Sequence, residues 1–154
     1  MKQKIISVLF TGLLLQLLFV PPIFAQSDIE LHRDCRQCGM DRKAFGYSRM
    51  MVEYKDGRQA GTCSLHCVVT ELSSREGEVN SFKVADRNTR QLIDAEKAVW
   101  VIGGTKRGVM TTRAKWAFAT KEAAHTFVEA YGGTIADWDK ALSAAKEDAR
   151  PKSR

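Results

Sequence analysis

The 154-residue chain lacks a nucleophile–base arrangement, a glycine loop able to cradle phosphate and a dinucleotide fingerprint. Those absences remove the usual marks of hydrolases, nucleotide-dependent enzymes and nicotinamide oxidoreductases. Gly103-Gly104 follows an apolar stretch but has none of the remaining fingerprint glycines. Glu71, Asp86 and Asp94 have no partner pattern that points to acid–base work. Histidine is scarce, with only His32, His66 and His125. The net charge is +6. Apart from the tail Arg150-Pro-Lys-Ser-Arg154, the basic residues are scattered among acidic ones, and no aromatics interleave with a basic stripe. The charge therefore serves solubility, and no nucleic-acid partner is expected. Cysteine is limited to four, and these are not scattered: Cys35-Arg-Gln-Cys38 runs into Gly39-Met40, and Cys63-Ser-Leu-His66-Cys67 follows.

The N-terminus sets the compartment in which those cysteines must be read. Lys2 and Lys4 precede an apolar run from Ile5 to Val20, and Pro21-Pro22 then leads to Ala25. A basic start, an apolar centre and a small residue for cleavage make a signal peptide over 1–25, with the competing reading an uncleaved anchor that associates the chain with a membrane. Cleavage after Ala25 takes Lys2 and Lys4 away and lowers the net charge from +6 to +4. Residues 26–150 are then one domain by size, placed in the periplasm or secreted.

Two rounds of the same element order follow. Residues 48–55 alternate as a strand, Asp56-Gly57 is a hairpin turn, and 58–62 return. Ser64 stands where it can cap a helix running to about Arg75, and Phe82 to Asp86 reads as the next strand. The second round has an apolar strand over 98–102 and another over 115–119. A Thr120-capped helix to about Tyr131 comes next, then Gly132-Gly133 and a short strand over 134–136. Asp137 to Ala149 reads as a terminal helix. The class is α+β: two small ββαβ units sharing a core, plus a C-terminal helix.

The cysteine pairs admit several chemistries. A two-residue spacer before Gly39 lets Cys35 and Cys38 turn toward one point, while Cys63 ends a strand and Cys67 lies in the first turn of the following helix. Thiols near a helix start have lowered pKa values, which favours metal binding. In an exported domain an even cysteine count fits disulfide staples. Four thiolates fit a closed zinc site. Cysteine with methionine fits Cu(I), and a redox dithiol at Cys35 and Cys38 is a further possibility. Met40, two residues beyond Cys38, favours Cu(I), since a thioether adds little to a zinc site. Met110, in a glycine-rich polar loop, has less reason to be core than Met50 and Met51 in a strand. His66 is flanked by Cys63 and Cys67 and joins the candidate ligands; His125 reads as surface.

With Cys35-Arg-Gln-Cys38-Gly-Met40, the Asp56-Gly57 turn, Gly108-Val-Met110 and Gly132-Gly133 ahead of Trp138-Asp139, the chain resembles the NosL family, nitrous oxide reductase accessory proteins of the bacterial periplasm. The resemblance covers about Asp34 to Leu142. It implies two ββαβ units and a non-enzymatic Cu(I) chaperone role. Cys38, Met40 and Met110 would be the metal ligands, and the partner an apo copper enzyme or copper transporter. Two features depart from the family's pattern. No small-residue box stands directly before a cysteine, and Cys63-Ser-Leu-His66-Cys67 replaces the acidic and apolar residues of typical members, which marks a divergent branch. The full candidate ligand set is Cys35, Cys38, Met40, Met110, Cys63, His66 and Cys67, with Cu(I) as cargo and zinc as the alternative metal.

Overall fold

A computed structural model describes residues 27–73 and 78–150; the signal-peptide assignment for 1–25 lies outside them. The elements in chain order are α1 (Ser27–Leu31), β1 (Met50–Tyr54), β2 (Gln59–Thr62), α2 (Leu65–Leu72), β3 (Val79–Ala85) and β4 (Leu92–Asp94). After these come β5 (Val99–Ile102), β6 (Lys115–Phe118), α3 (Lys121–Tyr131), β7 (Thr134–Ala136) and α4 (Trp138–Ala149). The first sheet has the order β2-β1-β3-β4 and the second β6-β5-β7. All pairings are antiparallel. Each sheet with its helix is a ββαβ unit, and β4 is an added edge strand. Among the described residues no helix is long and apolar enough to cross a membrane.

Local chemistry accounts for most of the boundaries. Gly57 sits at φ +84° in the β1–β2 turn, where its N–H donates to the Tyr54 carbonyl at 3.0 Å. The Thr120 hydroxyl accepts from the Ala123 N–H, and the Asp137 carboxylate caps α4 by accepting from Lys140 N–H at 2.9 Å. Ser64 occupies the N-cap position of α2, but its side chain makes no capping bond. It is buried, and its hydroxyl lies 3.9 Å from the Cys63 sulfur. Helix α2 ends at Leu72, short of Arg75, and β3 begins earlier than Phe82. The sequence pattern also misses α1 and β4, both too short to carry a period of their own.

The two units share one core. Met50, Val52, Leu65, Val68 and Val84 of the first unit cluster with Trp100 of β5 and with Trp138, Ala141 and Ala145 of α4. Trp138 joins the sheets, its ring 5.0 Å from Phe82 and 5.8 Å from Trp100. A second cluster under α3 gathers Val101, Trp116, Phe118 and Phe127.

Arg42 locks the N-terminal segment onto this frame. It is fully buried, yet all five of its N–H donors are used. Nε donates to Thr62 O, Nη1 to the carbonyls of Asp28 and His32, and Nη2 to Met50 O and to the Asp28 carboxylate at 3.0 Å. Arg49 engages both Asp28 oxygens at 2.8 and 2.9 Å. Burial would raise the Asp28 carboxyl, but Arg49 and Arg42 outweigh it and hold the group below its ordinary range. Gly61 of β2 lies flat against the same guanidinium: a Cβ there would meet His32 Cβ at 2.6 Å and Arg42 Cζ at 2.7 Å. Gly61→Ala is therefore expected to destabilise the domain by about 2 kcal/mol, the usual cost of overpacking; a urea melt showing no loss would contradict this.

Candidate metal centre

Two separate pieces of chain bring the cysteines together. Cys35 and Cys38 lie on a tight loop before β1, closed by Cys35 N–H to Met40 O and Gly39 N–H to Cys35 O, each 2.8 Å. Gly39 makes this possible at φ +72°, a conformation that a side chain would strain. The loop is pinned to the sheet by Arg36 N–H, which donates to Gly61 O at 2.9 Å. Cys63 directly follows β2, and Cys67 sits in the first turn of α2. The four sulfurs converge within 4.8 Å of one another. Cys63 lies 3.6 Å from Cys38 and 3.7 Å from Cys67, and Cys67 lies 3.7 Å from Cys38. All four are free thiols, so no disulfide staples this site. A tetrahedron built on metal–sulfur bonds of ~2.3 Å has edges of about 3.8 Å, and Cys38, Cys63 and Cys67 already stand at that spacing, with Cys35 within 4.8 Å of them.

Burial makes the four unequal. Cys35, Cys63 and Cys67 are 3%, 0% and 2% exposed, while Cys38 is only half-buried. Val109, Met40, Phe45 and Tyr47 pack around them. Solvent therefore meets the cluster at Cys38. Charge is unequal too. Hydrogen bonds from Cys63 and Cys67, with the N–H groups of Cys38 and Gln37, hold the Cys35 thiol far below the ordinary thiol range despite burial. The hydrogen bond with Cys35, together with burial, pushes Cys63 up to about 12, and contacts with Cys35 and Cys63 push Cys67 up as well. A bound cation would supply the positive charge that the raised thiols need to ionise.

The remaining candidates fall at different distances from this centre. Met40 is half-buried against the sulfur cluster. Met110 is 45% exposed and lines an open groove with Arg107, Thr111 and Asp148. Its backbone sits in the left-handed region at φ 57°, and its neighbour Val109 is the residue that packs on the cysteines. His66 lies outside the group of four converging donors, although its Nδ1 is buried without a hydrogen-bond partner. His32 contributes its carbonyl to Arg42, and His125 is exposed on α3.

Sequence reasoning passed over one residue of consequence. Glu71 is 3% exposed on α2, one turn beyond Cys67. Its carboxylate accepts from Tyr54 O–H and from Gln37 Nε2, and Arg36 Nε approaches to 3.4 Å. The signal was present, since positions four apart share a helical face.

The NosL family model matches residues 26–145. Among solved structures, the copper chaperone NosL from Shewanella denitrificans matches with a TM-score of 0.63 and 24% sequence identity, over 80% of this chain and 99% of that one. No curated protein sequence matches the chain.

Proposed function

The chain belongs to the NosL family, and we propose that it is an exported metallochaperone that carries Cu(I) at Cys35, Cys38, Cys63 and Cys67. The observation that carries this reading is the convergence of four free sulfurs with one of them at the surface. Thiolates select soft cations such as Cu(I) over hard ones. Copper handling by a relative of the same fold supports the choice of cargo.

Transfer would proceed by ligand exchange. A partner's sulfur approaches the half-buried Cys38, binds the cargo as Cys38 leaves, and the three buried cysteines follow stepwise. The proton that each incoming thiol loses balances the one that each released cysteine takes up, so the exchange needs no catalytic acid or base. The partner is an apo copper enzyme, nitrous oxide reductase among the candidates, or a copper transporter. Bound Cu(I) would also keep the thiols from oxidation in the periplasm. Membrane association would come from residues 1–25 if they are retained.

A zinc-stapled binding module is the second reading. The observation favouring it is the gathering of four sulfurs within 4.8 Å, three of them buried. Anaerobic titration of the exported chain with Cu(I) against a competing chelator separates the two. The chaperone reading expects tight Cu(I) binding that displaces zinc and depends on Cys38. Zinc that equimolar Cu(I) leaves in place, or a fully oxidised chain that takes up no copper, would overturn it. Met110→Ala is expected to leave Cu(I) affinity within the about 0.5 kcal/mol typical of surface substitutions, since that residue is 45% exposed. A larger loss in the same titration would place Met110 among the ligands.

A further inference from the structure

Cys35 and Cys38 sit on a loop held at two places, on the sheet by Arg36 N–H to Gly61 O and on α2 by side chains. The two residues between them provide the grip. Gln37 donates through Nε2 to Glu71 Oε2, and Arg36 Nε approaches the same oxygen at 3.4 Å. Glu71 Oε1 faces the other way and accepts from Tyr54 O–H on β1. One buried carboxylate therefore joins the loop carrying two sulfurs, the helix carrying a third and the central strand of the sheet. A carboxylate removed from water needs such partners to remain there.

We propose that Glu71 is a positioning residue of the metal centre: it latches the Cys35–Cys38 loop onto α2 and so limits how fast cargo leaves. The proposal rests on the four cysteines being the cargo site. With the latch closed, all four sulfurs face one point and only Cys38 meets solvent. With it open, the loop keeps its backbone pin to Gly61 but loses its hold on α2, so its two sulfurs are freer to part from the other two. Groups that hold metal ligands in place without touching the metal typically change affinity by 10–100-fold when removed.

The test uses the full chain in three forms beside wild type. Gln37→Ala removes the Gln37 contact of the latch and leaves Glu71 with Tyr54 and Arg36. Glu71→Gln replaces the acceptor that faces Gln37 and Arg36. The double variant Gln37→Glu/Glu71→Gln reverses donor and acceptor. Two rates are read: alkylation of the metal-free thiols by iodoacetamide, mapped by cysteine, and transfer of Cu(I) to a chelator. Gln37→Ala and Glu71→Gln are each expected to speed alkylation of Cys35 and Cu(I) transfer by about tenfold or more. The reversed pair is expected to return both rates to near wild type, a rescue that mere loss of stability would not give. Rates for Gln37→Ala within twofold of wild type, or a reversed pair no slower than the single variants, would overturn the latch. Alkylation that responds in a chain with no Cu(I) affinity would uphold the latch and reject the cargo reading instead. Glu71→Gln is the variant at risk of misfolding; Gln37→Ala, on the exposed side, keeps the proposal open to refutation.

Discussion

Replacing Cys63 with serine is expected to weaken Cu(I) binding by on the order of a hundredfold or more and to abolish the stabilisation that the metal confers. Four-ligand thiolate and imidazole sites bind zinc with about 10–16 kcal/mol, so each ligand carries roughly 3 kcal/mol, or about two decades of affinity. Serine keeps the size of the side chain but loses the soft donor, and at this position the sulfur is completely buried. Cys63 also has close sulfur neighbours on both sides, Cys38 at 3.6 Å and Cys67 at 3.7 Å. The same loss reads out in thermal unfolding. Free metal at about a thousand times its dissociation constant stabilises a fold by about 4 kcal/mol, worth more than about 10 °C for a domain of this size. Chelation should remove that increment from wild type and change nothing in Cys63→Ser. If the variant retains the metal-dependent rise in melting temperature, Cys63 is not a ligand.

Arg42→Leu is expected to cost about 3–5 kcal/mol, most of the stability of a marginal domain. The guanidinium is buried without exposure and donates to the carbonyls of Asp28, His32, Met50 and Thr62 and to the Asp28 carboxylate. Leucine would leave four carbonyls without that donor and Asp28 with Arg49 alone. Arg42→Lys should recover only part of the loss, because three donors on one nitrogen cannot reach sites spread across a planar fork. Urea midpoints of the metal-free chain measure both variants. A leucine variant within 1 kcal/mol of wild type would contradict this account. The pH dependence has a definite sign. Arg49 and Arg42 hold the Asp28 carboxyl below its ordinary pKa. Its contribution is therefore complete above that ordinary value and disappears as pH falls through the lowered one.

How much of this was legible in the chain differs by element. The Asp56-Gly57 turn, the Thr120 and Asp137 caps and the Gly132-Gly133 stop are short-range chemistry, and the elements they bound form where the pattern puts them. Strand β4 was not legible, because Leu92 and Ile93 extend only by bonding to the edge of β3. The continuous burial of β1 follows from its place between β2 and β3, so its two faces do not alternate cleanly between apolar and polar. Ser64 illustrates the opposite failure. A residue of the right type stands at the right position, and its buried side chain leaves the helix N–H groups uncapped.

The sequence by itself determined the donor chemistry and the family: four cysteines in two tight pairs, a methionine beside one of them, and two rounds of ββαβ. Donor type is a property of the side chain, and a spacing of two or three residues fixes which donors lie close before any folding. Only the tertiary structure decided which candidates meet. Cys38 reaches Cys63 across 25 residues and Cys67 across 29 because the loop before β1 docks on β2 and α2 through Gly61, Arg42 and Glu71. Val109 packs against the sulfurs while its neighbour Met110 is exposed. Those outcomes depend on packing and buried polar partners contributed by distant parts of the chain, and no local pattern encodes them.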